Sequence, residues 1–395
     1  MLPASDVDLF ADEALVEPYG HYRVLRDLGP VVRLERHDVL AVPRYAEARQ
    51  VLADAETFCS GQGVGLNRFI NEGGRGTTLM SDGDAHRRQR AVIGRRLTPK
   101  ALAALRPDVQ ALADTLVDRL VAGGSFDAVT DLAEVIPSTW VPDLLGLPAE
   151  GRDHILAWGS ASFDGLGPLN GRAEAAGPAL VEMLGYAVQV ASGGDVPAGS
   201  MTAGILAAAE RGEIEAAQCP QLLIDYLGPS LDTTISAIGN AVWCFATHPE
   251  QWDVLRDDPG RAQAAFNEVM RYESPVNGFS RVATRDTEVG GVTIPEGARV
   301  LVLLACANRD ERRWERADEF DIGRDSAGQL GFGHGLHQCV GMGLARLESV
   351  AVLSALAARV ERFDLGEPVR KLNNLIRAFG SLPVSVRAAS PPPSR

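Results

Sequence analysis

The chain has no cysteine pattern that could clamp a metal or staple a small fold. Cys59, Cys219, Cys244, Cys306 and Cys339 are scattered, odd in number and free of CxxC spacing, which excludes a zinc knuckle or a disulfide framework. Also missing is any apolar run near the roughly 20 residues that cross a bilayer. The longest runs, near 298–307 and 350–358, are too short or carry charge. The opening MLPASDVDLF lacks a basic segment followed by an apolar core and does not read as a secretion signal. Positive charge is in deficit: 38 Lys and Arg stand against 52 Asp and Glu, a formal charge of -14. Nucleic acid and anionic membranes would repel such a chain, so neither is expected as its main partner. A cytoplasmic location follows as the expectation. What is abundant is apolar bulk, 46% of 395 residues, enough for one large enzyme fold or two to three average domains.

Residues 31–34 and 39–42 predict a hairpin across a polar turn at 35–38, and 45–52 a short helix. Gly61, Gly63, Gly65, Gly73, Gly74 and Gly76 predict a long irregular loop over 61–78, a kind of segment that often carries function. Helical patterning begins at His86. Apolar residues then recur every three or four positions over 101–120, with Pro99 just ahead. A long apolar helix is predicted over 221–247, interrupted at Gly228-Pro229-Ser230, with shorter helices over 249–257 and 260–272. Beyond Pro275 the pattern is strand-like over 281–284, 287–289, 292–294 and 300–305. Helix returns over 344–360 and a strand over 382–386, and the proline-rich 388–395 reads as a disordered tail. With no repeat and no βαβ alternation, the expectation is a mainly α fold with small β sheets, one domain over 1–387.

The most informative segment is Phe332-Gly333-His334-Gly335-Leu336-His337-Gln338-Cys339-Val340-Gly341, running into a helix from Met342. It suits a metal-bound thiolate. Gly333 and Gly335 let the backbone turn close to a flat ligand, Gly341 removes bulk, and the following helix end favours thiolate over thiol. A cysteine before a helix is, by itself, usually structural. The whole segment, however, resembles the haem-binding signature of the cytochromes P450, Phe-Gly-x-Gly-x-His-x-Cys-x-Gly, without a gap. Ala345 fills the small-residue position one turn further on. The resemblance implies haem b (iron protoporphyrin IX) on Cys339, lying between a long central helix and the helix after the cysteine loop.

Other stretches carry the same resemblance. Glu268-Val269-Met270-Arg271 is similar to the family's Glu-x-x-Arg pair, on one helix face at i,i+3. The family implies a buried network scaffolding the haem loop, with Arg324 as third member. His86 and Arg90, with Arg281 and His337, match the positions that bind the haem propionates, a task suited to cationic donors. Asp232-Thr233 resembles the acid–alcohol pair of the central helix. There Thr233 is expected to hold a hydrogen bond near bound O2, and Asp232 to relay protons from solvent. The usual Ala-Gly ahead of the pair is replaced by Pro229-Ser230. Pro229 has no N–H to give the carbonyl of Asp225 and must bend or widen the helix. Ser230 either joins the proton network or bonds back to a helix carbonyl.

Within the family the chain most resembles bacterial P450s that oxidise para-substituted benzoates, including O-demethylation of 4-methoxybenzoate. The matching stretches are Phe58-Cys59-Ser60, Gly63-Val64-Gly65-Leu66, Asp131-Leu132-Ala133-Glu134, Ala307-Asn308-Arg309-Asp310 and Leu382-Pro383-Val384. Phe163, Leu166 and Phe279 fall where those enzymes line the pocket, which implies a planar ring. Their carboxylate-anchoring hydroxyls are replaced here by Asp225 and Gly228. Two facing carboxylates repel unless one is protonated, and Arg75, Thr77 and Thr78 are alternative anion contacts. A monooxygenase hydroxylating or O-demethylating a small aromatic compound, of benzoate or phenol type, is expected. It would use O2 and electrons from NAD(P)H. With no flavin or iron–sulfur motif, a ferredoxin and a ferredoxin reductase are the implied partners, with Arg87, Arg88, Arg95 and Arg96 as a docking face. Two alternatives stay open. One is a biosynthetic P450 for a larger scaffold; the other is a haem-thiolate protein that binds without turnover or runs on peroxide.

Overall fold

The computed structural model describes residues 2–149, 151–193 and 196–389. Its helices begin and end where local chemistry supplies caps. Thr98 accepts from the Ala101 N–H at 3.3 Å and Pro99 opens the helix Pro99–Gly123, which Gly124 closes at φ 75. Its buried stripe, Val109, Ala113, Leu116, Val117 and Leu120, packs against the helix Met342–Arg359. The predicted 221–247 segment forms as two helices, Cys219–Leu227 and Asp232–Thr247. Pro229 has no N–H to continue the ladder, so the chain leaves the helix at Gly228 and re-enters at Asp232. The helix Ile155–Gly165 passes close by: a Cβ on Gly228 would meet Ser162 Oγ at 3.0 Å.

The sheets are small. The largest has six strands in the order Ala4–Ser5, Val32–Leu34, Val39–Val42, Arg299–Val302, Phe279–Ala283, Phe58–Cys59. A second joins Val360–Leu365, Pro383–Ala388 and Ser125–Asp127. One hydrophobic core fills the space among the helices; another lies under the six-stranded sheet. The result is a mainly α-helical fold with small β sheets, and no helix among the described residues is long and apolar enough to cross a membrane.

Three expectations are corrected. The 61–78 loop contains a helix, Arg68–Gly73, capped by Asn67 Oδ1 accepting from Ile70 N at 3.1 Å. The strand expected over 300–305 ends at Val302, and Leu304–Ala307 turns helical. The last strand runs past Val386 to Ala388, which pairs with Val360, so the tail does not begin at 388. Residues 390–395 lie outside the described residues.

Candidate functional site

Between the two cores lies a cavity of about 330 Å3. The cysteine loop and the start of the helix Met342–Arg359 form one wall, contributing Phe332, Gly333, His337, Cys339, Gly341 and Ala345. Cys339 is the only exposed cysteine of the five, the other four being buried. Its N–H donates to Phe332 O at 2.9 Å, which folds the loop back on itself. Burial raises its thiol above the ordinary value. The Gly341 N–H, the Arg90 charge, the Met342 N–H and the Arg346 charge pull it down, and these are the groups that favour a thiolate. Gly333 and Gly335 both have positive φ, 70 and 72, but the reason at Gly335 lies outside the cavity. A Cβ there would sit 2.3 Å from Leu52 O, so the glycine lets the loop pack on the helix Tyr45–Ala53. A Cβ on Gly341 would meet Cys339 Sγ at 3.8 Å, an ordinary contact that does not itself demand glycine.

Arg90, Arg281 and His337 also line the cavity. Arg90 donates to Gln338 O, and Arg281 Nη1 to Ser280 O at 2.8 Å. Burial lowers the Arg281 pKa to about 10. His86 does not border the cavity. It packs against His337 in a tilted contact with ring centroids 4.3 Å apart, and both of its ring nitrogens are buried without a hydrogen-bond partner. Burial, then the positive neighbours His337 and Arg90, push its pKa down to about 4. His337 Nε2 lies 3.9 Å from Asp82 Oδ1, and that carboxylate is fixed by the N–H groups of Ser60 and Gly61 at 2.9 and 2.7 Å.

The interrupted helix supplies another wall through Asp225, Gly228, Ser230 and Thr233. Ser230 takes the second of its two options: its hydroxyl donates to Tyr226 O. Thr233 Oγ1 donates to Pro229 O at 2.9 Å. Asp232 is not on the cavity wall. It is 4% exposed, its Oδ1 accepts from Lys371 Nζ at 2.9 Å, and its Oδ2 has no partner. Phe163, Leu166 and Phe279 line the apolar part, with Thr77 and Thr78 beside Asp225. Arg75 does not reach it. The turn at Gly76, φ 88, leads Thr77 and Thr78 inward and leaves Arg75 exposed on a separate depression with Asn71, Glu72 and Arg299. That corrects its expected place in the pocket.

Outside the cavity the scaffold is tied together at Glu268. Its oxygens accept from Arg271 Nη2 and Nε at 2.7 and 2.8 Å, from Arg324 Nε at 3.3 Å and from Asp321 N at 3.1 Å. The Ser326 hydroxyl also donates to it. Arg271 reaches on to the carbonyls of Asn308, Ala317 and Glu319, so one buried ion pair pins the stretch from Asn308 to Ser326 ahead of the cysteine loop.

A lone thiolate holds no metal ion by itself, and no cluster of three His, Cys, Asp or Glu side chains suited to a metal occurs among the described residues. A single sulfur at a cavity wall fits an iron whose other ligands come from a flat macrocycle. The cations Arg90 and Arg281 and the unpartnered Nε2 of His337 on the cavity wall fit its carboxylates. The Cytochrome P450 family profile matches residues 261–383. The Cytochrome p450 CYP199A2 of Rhodopseudomonas palustris is 41% identical over 98% of this chain and 95% of its own. The chain is a cytochrome P450. Another relative, the Vitamin D(3) 25-hydroxylase of Pseudonocardia autotrophica, is 31% identical over 96% of both chains. The structure of cytochrome P450 CREJ in complex with (4-ethylphenyl) dihydrogen phosphate matches with a TM-score of 0.84 at 29% identity, covering 94% of this chain and 98% of that one. The protein is therefore an oxidoreductase of the haem-thiolate monooxygenase kind, and haem is its implied cofactor.

Sequence reasoning missed several groups of this P450. Lys371, Asp82 and Ser326 gave no local signal, because each acts through a partner remote in the chain. Ile70 and Met183 line the cavity too, but their helical spacing reads the same as ordinary core.

Proposed function

We propose that this P450 hydroxylates or O-demethylates a small aromatic substrate. The observation that carries the reading is the cavity wall: beside the cations stand Phe163, Leu166, Phe279, Ile70 and Met183, an apolar surface with two aromatic rings. A planar ring suits such a space by area burial and by edge or face contact. The aryl phosphate held by the structural relative supports a one-ring compound.

Bound through Cys339, haem would supply the oxygen-activating chemistry, which an electron-rich thiolate favours. The chain's own residues do the rest. Arg90, Arg281 and His337 would hold the two propionate carboxylates, with His86 packed behind His337. The Phe163–Leu166–Phe279 wall orients the ring and excludes water. Thr233 presents a hydroxyl at the cavity, and the Asp232 carboxylate lies next to it in the chain, off the cavity wall. Lys371, a third exposed, links that carboxylate to solvent. Electrons from NAD(P)H arrive through separate proteins, a ferredoxin and its reductase.

The test is optical. After the red-shifted ferrous–CO band is verified, the holoprotein is titrated with 4-methoxybenzoate, 4-methoxyphenol and 4-methoxybenzylamine. At least one should shift the iron from low to high spin and yield formaldehyde with ferredoxin, reductase and NAD(P)H. Silence from all three beside a sound ferrous–CO band would replace this reading with a larger scaffold.

A further inference from the structure

Asp225 is the one carboxylate on the cavity wall among the described residues. It projects from the helix Cys219–Leu227 and is half-buried. Two backbone donors fix it: Thr78 N gives to Oδ2 at 2.7 Å and Leu79 N lies 3.5 Å from Oδ1. A carboxylate offers about four lone-pair directions, so acceptor capacity remains. No cation among the described residues stands in ion-pair contact with it. Arg90, whose charge acts on it from further off, is committed to Gln338 O. Gly228, one turn on, and Thr78 border the same part of the cavity and leave it open.

A carboxylate in a cavity wall keeps an uncompensated cost while no cation neutralises it and part of its acceptor capacity is unmet. A ligand that brings an ammonium or hydroxyl to Asp225 supplies the missing partner. One that brings a second carboxylate adds like-charge repulsion. Burial raises the Asp225 pKa to about 6, against the pull of Thr78, Leu79 and Arg90, so above neutral pH the group is a charged acceptor.

We infer that Asp225 is the head-group acceptor of the substrate, and that the substrate ring carries a hydrogen-bond-donating group, an ammonium or a phenolic hydroxyl, in place of a carboxylate. This rests on the small-aromatic reading above. It makes Asp225 the specificity-determining residue and turns the chain away from benzoates, despite the likeness of its other stretches to benzoate-oxidising P450s.

The experiment compares dissociation constants at pH 7.5 from spin-shift titrations of wild type, Asp225→Asn and Asp225→Ser holoproteins. The probes are 4-methoxybenzylamine, 4-methoxyphenol and 4-methoxybenzoate. In wild type the amine or the phenol should bind about tenfold or more tightly than the benzoate, and both variants should shrink that preference by about tenfold or more. Which donor wins tells ammonium from hydroxyl. The amine must give a low-to-high-spin shift, since a red shift from nitrogen on iron would put the donor at the wrong end and count against the inference. Tighter binding of benzoate by wild type, or an unchanged order in the variants, overturns the inference and leaves the aromatic reading standing. No shift from any probe overturns both. If a variant loses its ferrous–CO band, the wild-type order alone decides.

Discussion

Glu348 shows what burial does to a single group. It is 1% exposed on the helix Met342–Arg359, and neither carboxylate oxygen has a hydrogen-bond partner. Burial alone pushes its pKa from 4.5 up to about 8, so the folded chain keeps it protonated at neutral pH. The folded state therefore binds this proton more tightly than the unfolded state. Stability falls by about 1.4 kcal/mol per pH unit as pH rises from about 4.5 toward about 8, and no further above that. Glu348→Gln removes the titration, so its Tm should gain on wild type steadily between pH 5 and pH 8; a constant gap would show that the carboxyl ionises without penalty. Lys371 is a second case. Lysine occurs twice in the chain, at 100 and 371, and Lys371 is the partner of Asp232. An ammonium gives up a proton more readily than a guanidinium. Lys371→Met should cut product formed per NAD(P)H and slow turnover by on the order of a hundredfold, with Lys371→Arg recovering part of the rate and spin-shift affinities unchanged in both. Equal coupling in wild type and both variants would remove Lys371 from the proton route.

At the scale of elements, the ion pair on the helix Ala262–Tyr272 holds more than itself. Glu268 and Arg271 are fully buried, and Arg324 nearly so. Glu268→Ala leaves Arg271 buried and charged with carbonyl partners but no counter-charge, which costs about 3–5 kcal/mol. The expected phenotype is lost haem incorporation: Soret absorbance per protein drops while Arg324→Ala, at the better hydrated edge, keeps more of it. Full haem loading in Glu268→Ala would mean that the loops ahead of Cys339 stand without this anchor. The interrupted helix belongs to the same scale. Its break was legible from Pro229 because a missing N–H is a local fact. The helix Arg68–Gly73 was not legible, because glycines crowd its end and it is fixed by the Asn67 cap and by Asn67 Nδ2 donating to the remote carbonyls of Gly165 and Gly167.

For the whole molecule, the implied haem would fill the cavity that the two cores border. A ligand that binds only the folded state raises apparent stability by mass action. Haem extraction should lower Tm and speed amide exchange first in 332–341 and in the start of the helix Met342–Arg359. Unchanged exchange there would show a preformed loop. The basic face proposed for a ferredoxin is thinner than the sequence suggested. Arg87, Arg88, Arg95 and Arg96 are all exposed, but Arg87 pairs with Asp84 and Arg95 with Glu213. Ferredoxin-supported reduction should therefore slow most with Arg88→Glu and Arg96→Glu, and the wild-type rate should fall with added salt. Salt-independent rates would move the docking site elsewhere.

The sequence by itself determined what local spacing can encode: the cysteine loop, the Glu268–Arg271 pair, the helix break at Pro229 and the mainly α character of the chain. Each depends on backbone hydrogen bonding, caps and periodicity that act over a few residues. Only the tertiary structure decided which partners those groups meet. Lys371 comes to Asp232 from 139 residues away. Ser230 turns to Tyr226 O, Gly335 is needed by Leu52 O, and the turn at Gly76 sends Arg75 out while Thr78 goes in to Asp225. Such choices follow from how distant segments pack, and burial then sets the charge state of what they enclose.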